Sequence, residues 1–363
     1  MKKFARVISA DSHVMEPPDL WEKALGGRYG DHTPRRLGEH LGKQGSFFFT
    51  GHQVLKYGRS DYEAQKIGFQ EAGWIPEVRV RFQKEAGVDA ELMNATYMLL
   101  IMQGRQRAVV RAAARVFNDW LADFCAYDPK RLIGIAMIPM DDIDWAVAEL
   151  ERVAKRGLRG AIIHLYPPEG CAPYRDRLYD RFWARAQELD MPLTLHIITG
   201  RVPDPLHFHT REEQGESPQS QIALMYEVMG VLANEFIFGT ILDRFPKLKI
   251  QCSEFEISWI PSFIWRLNQM QDDFGARLEL PKLAMKAGDY MKRRIWHGFI
   301  DDPYPRHAVE HIGARQVLWG SDFPHVRSIG LNAQDRVAQL FSGLPPAEQD
   351  GLVAGNVAAL YRL

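Results

Sequence analysis

Metal-ligating side chains recur where short apolar runs of this chain end. The first run, 5–12 (ARVISADS), delivers Asp11 and, two residues later, His13. Alternate side chains of an extended strand share a face, so these two point the same way, about 7 Å apart along the strand. His196 interrupts an apolar run of Leu193, Leu195 and Ile197; Glu254 follows the run 248–253 and Asp322 the run 316–321. Imidazole nitrogens mixed with carboxylate oxygens suit a borderline divalent ion, zinc or manganese first and iron as a further choice. Each residue alone has an ordinary reading. A single strand histidine is commonly a hydrogen-bonded packing residue, and Asp11 or Asp322 could cap a following helix. The coincidence is what points to a metal, because carboxylates gathered in an interior cost several kcal/mol unless a cation compensates them. One ion held by Asp11, His13, His196 and Asp322 is the expectation. A two-ion centre is the alternative, since Glu16, Glu254 and Glu256 add carboxylates, although Glu16 has the competing role of tying down the Pro17-Pro18 turn.

Such a set needs a scaffold that brings several strand ends to one place. Strand candidates lie at 5–12, 89–96, 132–138, 158–165, 193–198, 248–253, 294–300 and 316–321. Between them run stretches of helical period at 105–126, 142–156, 175–189, 219–234, 259–275, 304–312 and 346–360. Short apolar strands alternating with helices predict a parallel sheet, and eight repeats predict an α/β fold of the (β/α)8 barrel type. In that fold the carboxyl ends of all strands open into one mouth, where the chemistry is done. The 363 residues exceed the usual single core, yet a barrel reaches this length as one domain, so 1–363 is expected to be one unit. Residues 26–77 hold many glycines, the run Phe47-Phe48-Phe49 and no clear period. This is an insertion after strand one, expected to cover the catalytic face. Its aromatics and Trp74 suit either an aromatic or apolar substrate or plain packing. A second long loop spans 199–218.

Composition narrows the function class. With 46% hydrophobic and 25% charged residues and a net charge of −1, nothing favours nucleic acid or an anionic membrane. Cys125, Cys171 and Cys252 match no paired spacing, so neither a disulfide framework nor a structural zinc site is expected, and a reducing compartment fits. Lys2 and Lys3 precede only the short run Val7-Ile8, too little for a signal-peptide core, and no window is apolar enough to span a bilayer. A cytoplasmic protein acting on a small molecule is the expectation.

Four segments carry a resemblance. Ala10-Asp11-Ser12-His13-Val14-Met15-Glu16-Pro17-Pro18, Met191-Pro192-Leu193-Thr194-Leu195-His196, Glu254 through Trp259-Ile260-Pro261, and Trp319-Gly320-Ser321-Asp322-Phe323-Pro324-His325 occur in this order. Together they resemble the amidohydrolase-2 family of the amidohydrolase superfamily, in the branch that includes aminocarboxymuconate-semialdehyde decarboxylase and the resorcylate-type decarboxylases. The resemblance implies that His13, His196 and Asp322 are metal ligands and that Asp322 also moves a proton. Asp11 stands where many relatives have His or Glu. At strand six several decarboxylases place a proton-transferring His, and this chain has Glu254. His164, His297 and His325 are therefore candidates for the missing imidazole, with Glu254 as a catalytic carboxyl. Arg201 and Arg327, or Arg59, Arg79 and Arg81 beside the insertion, are candidate clamps for a substrate carboxylate. The implied activity is hydrolysis or non-oxidative decarboxylation of a small carboxylate-bearing or aromatic substrate. A two-metal iron or manganese oxygenase and a non-catalytic partner subunit with a vestigial site are the alternatives. The resemblance also implies a homodimer.

Overall fold

Runs rich in Val, Ile and Leu become strands because both faces of a parallel barrel sheet are covered, one by the barrel interior and one by helices. The computed structural model describes residues 3–17, 19–56, 71–200, 225–325 and 328–363. In chain order its strands are β1 (Ile8–His13), β2 (Arg35–His40), β3 (Lys43–Phe49), β4 (Val54–Lys56), β5 (Ala90–Asn94), β6 (Leu132–Ile138), β7 (Gly160–Ile163), β8 (Leu193–His196), β9 (Ile250–Ser253), β10 (Ile295–Phe299) and β11 (Val317–Trp319). Eight of them form one sheet in the order β1-β5-β6-β7-β8-β9-β10-β11, every ladder parallel. The expected (β/α)8 barrel is therefore the observed fold, and each expected strand overlaps an observed one. Outside it the helix Arg107–Cys125 buries Val110, Ala113, Ala114, Phe117 and Leu121, a stripe at helical spacing turned to the sheet. The next helix, Ile143–Lys155, is capped by Asp142, whose side chain accepts from Trp145 N at 3.1 Å. Glu149 of that helix is fully buried and accepts from Arg115, Asn118 and Arg152, which ties the two helices together.

The ring closes between β1 and β11 without a strand ladder among the described residues. Two main-chain hydrogen bonds past the end of β11 join them instead: Asp322 N donates to Asp11 O and His13 N to Phe323 O, both at 2.8 Å. Gly320 permits this approach. A Cβ there would lie 2.5 Å from Asp11 Cβ and 2.9 Å from Asp11 N, a backbone atom that cannot swing aside. Gly320→Ala is accordingly expected to destabilise the fold by roughly 1–3 kcal/mol, the usual cost of overpacking. Urea denaturation measures it, and a midpoint equal to the parent's contradicts it.

The insertion differs from its sequence reading. Within 26–77, strands β2, β3 and β4 form a separate antiparallel sheet in that order. Leu41 (φ 51°) and Gly42 (φ 74°) make the two-residue turn between β2 and β3, a pair of positive φ angles that suits a tight hairpin. Leucine rather than asparagine at the first position hid this turn in the sequence. Phe48 is buried, its ring 4.6 Å from that of Tyr97, so the centre of the aromatic run packs. The expected helix 346–360 is divided by a wider turn at Gly351–Gly355. The three cysteines are unpaired. Among the described residues no helix is long and apolar enough to cross a membrane.

Candidate metal centre

Four strand ends deliver the polar side chains that the sequence analysis singled out. Asp11 and His13 leave β1 on one face, His196 is the last residue of β8, Glu254 follows β9 and Asp322 lies just beyond β11. Ligand-type atoms of Asp11, His13 and His196 lie within 4.8 Å of one another, as do those of His13, Asp322 and His325. The two triads share His13, so they are two sides of one pocket. His13 Nε2 is 3.4 Å from both Asp11 Oδ1 and Asp322 Oδ1; His196 Nε2 is 3.6 Å from Asp11 Oδ1 and 3.5 Å from Glu254 Oε2. Asp11, His13, His196 and Asp322 are all buried, while Glu254 keeps 17% side-chain exposure and forms the open edge. The chain turns off the strand direction where it presents the two carboxyls, with Glu254 (φ 68°) and Asp322 (φ 55°) in the left-handed region. Such backbone costs about 1–3 kcal/mol per residue and is concentrated at functional sites.

Hydrogen bonds settle the tautomers of the two ligand-type histidines. A carbonyl can only accept, so His13 Nδ1 donates to Ala95 O at 2.6 Å and His196 Nδ1 to Ile197 O at 3.0 Å. Each neutral ring then offers the lone pair of Nε2 to the pocket, the arrangement seen in metal-bound imidazole. Among the described residues, His13 Nε2, His196 Nε2 and Asp11 Oδ2 are buried without a hydrogen-bond partner. Three orphaned polar atoms facing one space, two imidazole nitrogens and a carboxylate oxygen, fit the donor set of a divalent cation. Asn94, which sequence reasoning passed over as a strand end, donates to Asp11 Oδ1 at 2.6 Å and orients that carboxylate.

Without a cation the pocket redistributes protons. Burial pushes the Asp11 carboxyl up, but the charge of His196 and the close approach of both imidazoles outweigh it and hold the group well below the carboxylate range. Burial opposes charging His196, yet Asp11 and Glu254 raise it to about 9. Burial and then the Asp322 charge lift Glu254 to about 8; burial and Asp11 lift Asp322 to about 7. Burial lowers His13 and His325. These shifts have signs that combine between pH 6.5 and 9. Over that window the folded chain keeps protons on Glu254, Asp322 and His196 that the unfolded chain releases, so the stability of the metal-free protein falls as pH rises. Below it, His13 and His325, held neutral, act in the opposite sense. Asp11 is ionised in both states and adds no slope. The thermal midpoint of the metal-free protein is expected to drop from pH 6.5 to 9, and metal loading to flatten the profile; a metal-free midpoint that rises over this window contradicts the proton inventory.

The remaining candidates separate clearly. His325 belongs to the site: its ring lies 3.9 Å from that of His13, and Nδ1 is 2.7 Å from Asp322 Oδ1. Thr96 Oγ1 donates to Val14 O at 2.7 Å and so accepts from His325 Nε2 at 3.1 Å. His164 stands apart from the cluster, because Met140 N donates to its Nδ1 and its Nε2 donates to Met102 O; burial lowers it to about 4. His297 faces away. It shares a strand face with Phe299, which packs on Phe341, and Nε2 donates to Met291 O in the helix outside. Strand alternation thus turns His297 toward the helix layer, and main-chain groups hold both ring nitrogens of His164. Arg79 is fully buried and bonds to Glu91, His13 O and Phe323 O, so it is no substrate clamp. Arg201, Arg327 and Arg59 lie outside the described residues. Glu16 accepts from the main-chain N–H groups of Thr96, Tyr97 and Met98, which resolves its role as a cap.

Comparison with known proteins places this geometry. Residues 11–363 match the amidohydrolase family. Gamma-resorcylate decarboxylase of Rhodococcus jostii is 26% identical over 311 residues, covering 80% of this chain and 88% of that one. Among solved structures, an amidohydrolase from Mycobacterium avium subsp. paratuberculosis superposes with a TM-score of 0.79 at 17% identity, covering 98% of this chain and 97% of that one. A dihydroxybenzoic acid decarboxylase from Polaromonas sp., with bound manganese and the inhibitor 2-nitroresorcinol, superposes at 0.72 with 21% identity, covering 99% and 98%. The match runs from β1 to Leu363, and this protein belongs to the amidohydrolase family.

Proposed function

We propose that this chain catalyses non-oxidative decarboxylation of a small aromatic acid bearing a hydroxyl next to its carboxylate. The observation that carries the choice is geometric: two carboxyls, Glu254 and Asp322, face the ligand-type histidines, and the His325 imidazole lies 2.7 Å from Asp322 Oδ1. Hydrolysis asks the site for a base that strips a proton from water. Decarboxylation asks for an acid that gives a proton to carbon, and Asp322, with the His325 imidazole 2.7 Å from its Oδ1, is placed to be that acid. Asp11, His13, His196 and Asp322 would hold a divalent ion, which would supply Lewis acidity toward the substrate's oxygens. Asp322 delivers its proton to the ring carbon, the carbon–carbon electron pair stays with the ring as the new C–H bond forms, and carbon dioxide departs. Glu254, beside His196 and open to the mouth, returns a proton from solvent. His325 orients Asp322 and is the imidazole next to the reacting group.

Manganese in a decarboxylase neighbour of the same fold supports a single ion of that kind. The extra carboxylates a second ion would need are engaged: Glu16 caps the Tyr97 helix and Glu256 accepts from Ile300 N. The described parts of the insertion, 26–56 and 71–77, cover the mouth in this reading, supported by Phe48 on Tyr97, Gln53 Nε2 donating to Gln103 Oε1 and Met15 N donating to Gly73 O, all beyond the carboxyl ends of β1 and β5. The test is a metal analysis together with a panel of hydroxybenzoic acids that includes 2,6-dihydroxybenzoate. One ion per chain, carbon dioxide release and the reverse incorporation of labelled bicarbonate into a phenol are expected. Metal-dependent cleavage of esters, amides or lactones with no carbon dioxide, or oxygen consumption with two ions per chain, overturns the reading.

A further inference from the structure

The ligand-type residues at the ends of β1 and β11 stand at the two edges of the eight-stranded sheet, and they straddle the place where, among the described residues, the barrel lacks a ladder. Asp11 and His13 lie on one bank of the β1/β11 seam and Asp322 on the other, and the two main-chain bonds that cross it use these same residues together with Phe323. A parallel ladder would lock such neighbours in register by evenly spaced bonds along the strand. Here side chains substitute. Ser12 Oγ contacts Ser321 Oγ at 2.9 Å, and Ser321 N donates to Ser9 Oγ at 2.8 Å. Ala10 O receives Gln251 Nε2 from across the barrel at 3.2 Å.

Arg79 holds the mouth end of this seam. It enters from the helix Pro76–Ala86, wholly buried. One arm of its guanidinium donates to His13 O at 2.8 Å on the β1 bank and the other to Phe323 O at 3.1 Å on the β11 bank. Its Nε donates to Glu91 Oε2 at 2.6 Å, its plane lies over the Phe323 ring, and Glu91 Oε1 in turn receives Ser12 Oγ. A planar fork with fixed donor directions is the one side chain that spans two carbonyls and a carboxylate at once.

We propose that Arg79 is a positioning residue of the metal centre: by clamping the carbonyls of His13 and Phe323 it sets the distance between the Asp11/His13 and Asp322 halves, and so the affinity for the ion. The inference rests on the ligand assignment proposed above. By reciprocity of linkage, a bound ion in turn reinforces the seam. Arg79→Lys keeps a cation beside Glu91 but cannot reach both carbonyls with one ammonium group.

The test titrates manganese(II) into metal-free protein by calorimetry, with thermal melts in parallel, for the parent and three variants. Arg79→Lys is expected to weaken the manganese dissociation constant by about 10–100-fold, the scale of losses for outer partners of metal ligands. Its melting temperature should also gain less on manganese addition than the parent's. Arg152→Lys disturbs a partly buried ion-pair network on the outer helices and is expected to leave the constant unchanged, which separates positioning from general destabilisation. His196→Ala, a ligand of β8 away from the seam, should abolish binding. An unchanged constant in Arg79→Lys with binding lost in His196→Ala overturns the positioning role and leaves the ligand assignment standing. Unchanged binding in His196→Ala overturns that assignment and the inference with it. If Arg79→Lys does not fold, Arg79→Met/Glu91→Met removes both buried charges together. The same loss of affinity is expected there, and parent-like affinity overturns the proposal equally.

Discussion

Asp322→Asn should yield a folded protein whose kcat for the aromatic acid is lower by about 10²–10⁴-fold, the usual contribution of a positioned acid or base. Asparagine has nearly the volume of aspartate, so a residue that is 2% exposed can be replaced without opening a cavity. Its amide oxygen can still face the ion, but it carries no proton to give. The loss is therefore expected in kcat with KM little changed, as for an interaction made only in the transition state. The substitution also removes one of three carboxyls crowded into the pocket, so the metal-free variant should melt no lower than the parent. Steady-state decarboxylation, metal analysis and a melting curve on the same preparation check all three statements. A kcat within a few-fold of the parent's at full metal loading would sink the assignment of Asp322 as the proton donor.

Removal of the ion is expected to have the second large effect: chelator dialysis should bring turnover to background, and manganese should restore it. The physical reason is the same inventory of orphaned atoms. Asp11, Glu254 and Asp322 converge with His13 and His196 in a buried space, and His13 Nε2, His196 Nε2 and Asp11 Oδ2 have no partner there. A cation bound only by the folded chain stabilises it by about 2.7 kcal/mol at a hundred times its dissociation constant. With an unfolding entropy of about 2.1 cal/mol/K per residue, a chain of 363 residues gains roughly 1.3 °C per kcal/mol, a rise of about 3–4 °C in melting temperature. His13→Ala and His196→Ala should each reproduce the chelated state and fail to respond to added manganese. Full activity in chelated protein would overturn the metal dependence of this site, and activity in either alanine variant would overturn that ligand.

The two readings that proved hardest from the chain alone were the second imidazole and the arginine. His164, His297 and His325 have similar local settings, each near the end of a strand. Only strand alternation and the paths of the following loops turn His325 onto His13, bury His164 among main-chain groups and send His297 into the helix layer. Arg79 sits in an ordinary helical stretch beside the insertion, and nothing near it marks a buried clamp. Its carbonyl partner Phe323 O is 244 residues away.

What the sequence by itself determined is the class of the fold and the inventory of the site. Hydrophobic periodicity is local, so eight strands, most of the helices between them and the ligand types at the strand ends were legible directly. The (β/α)8 arrangement then follows, because parallel strands joined through helices bring all carboxyl ends together. Only the tertiary structure decided which of those polar groups meet. The proton on His13 Nδ1 is placed by Ala95 O, 82 residues on, and the carboxyls of Glu254 and Asp322 shift because they are buried against each other and against Asp11. Desolvation and charge proximity depend on contacts between segments far apart in the chain, and no local pattern encodes them.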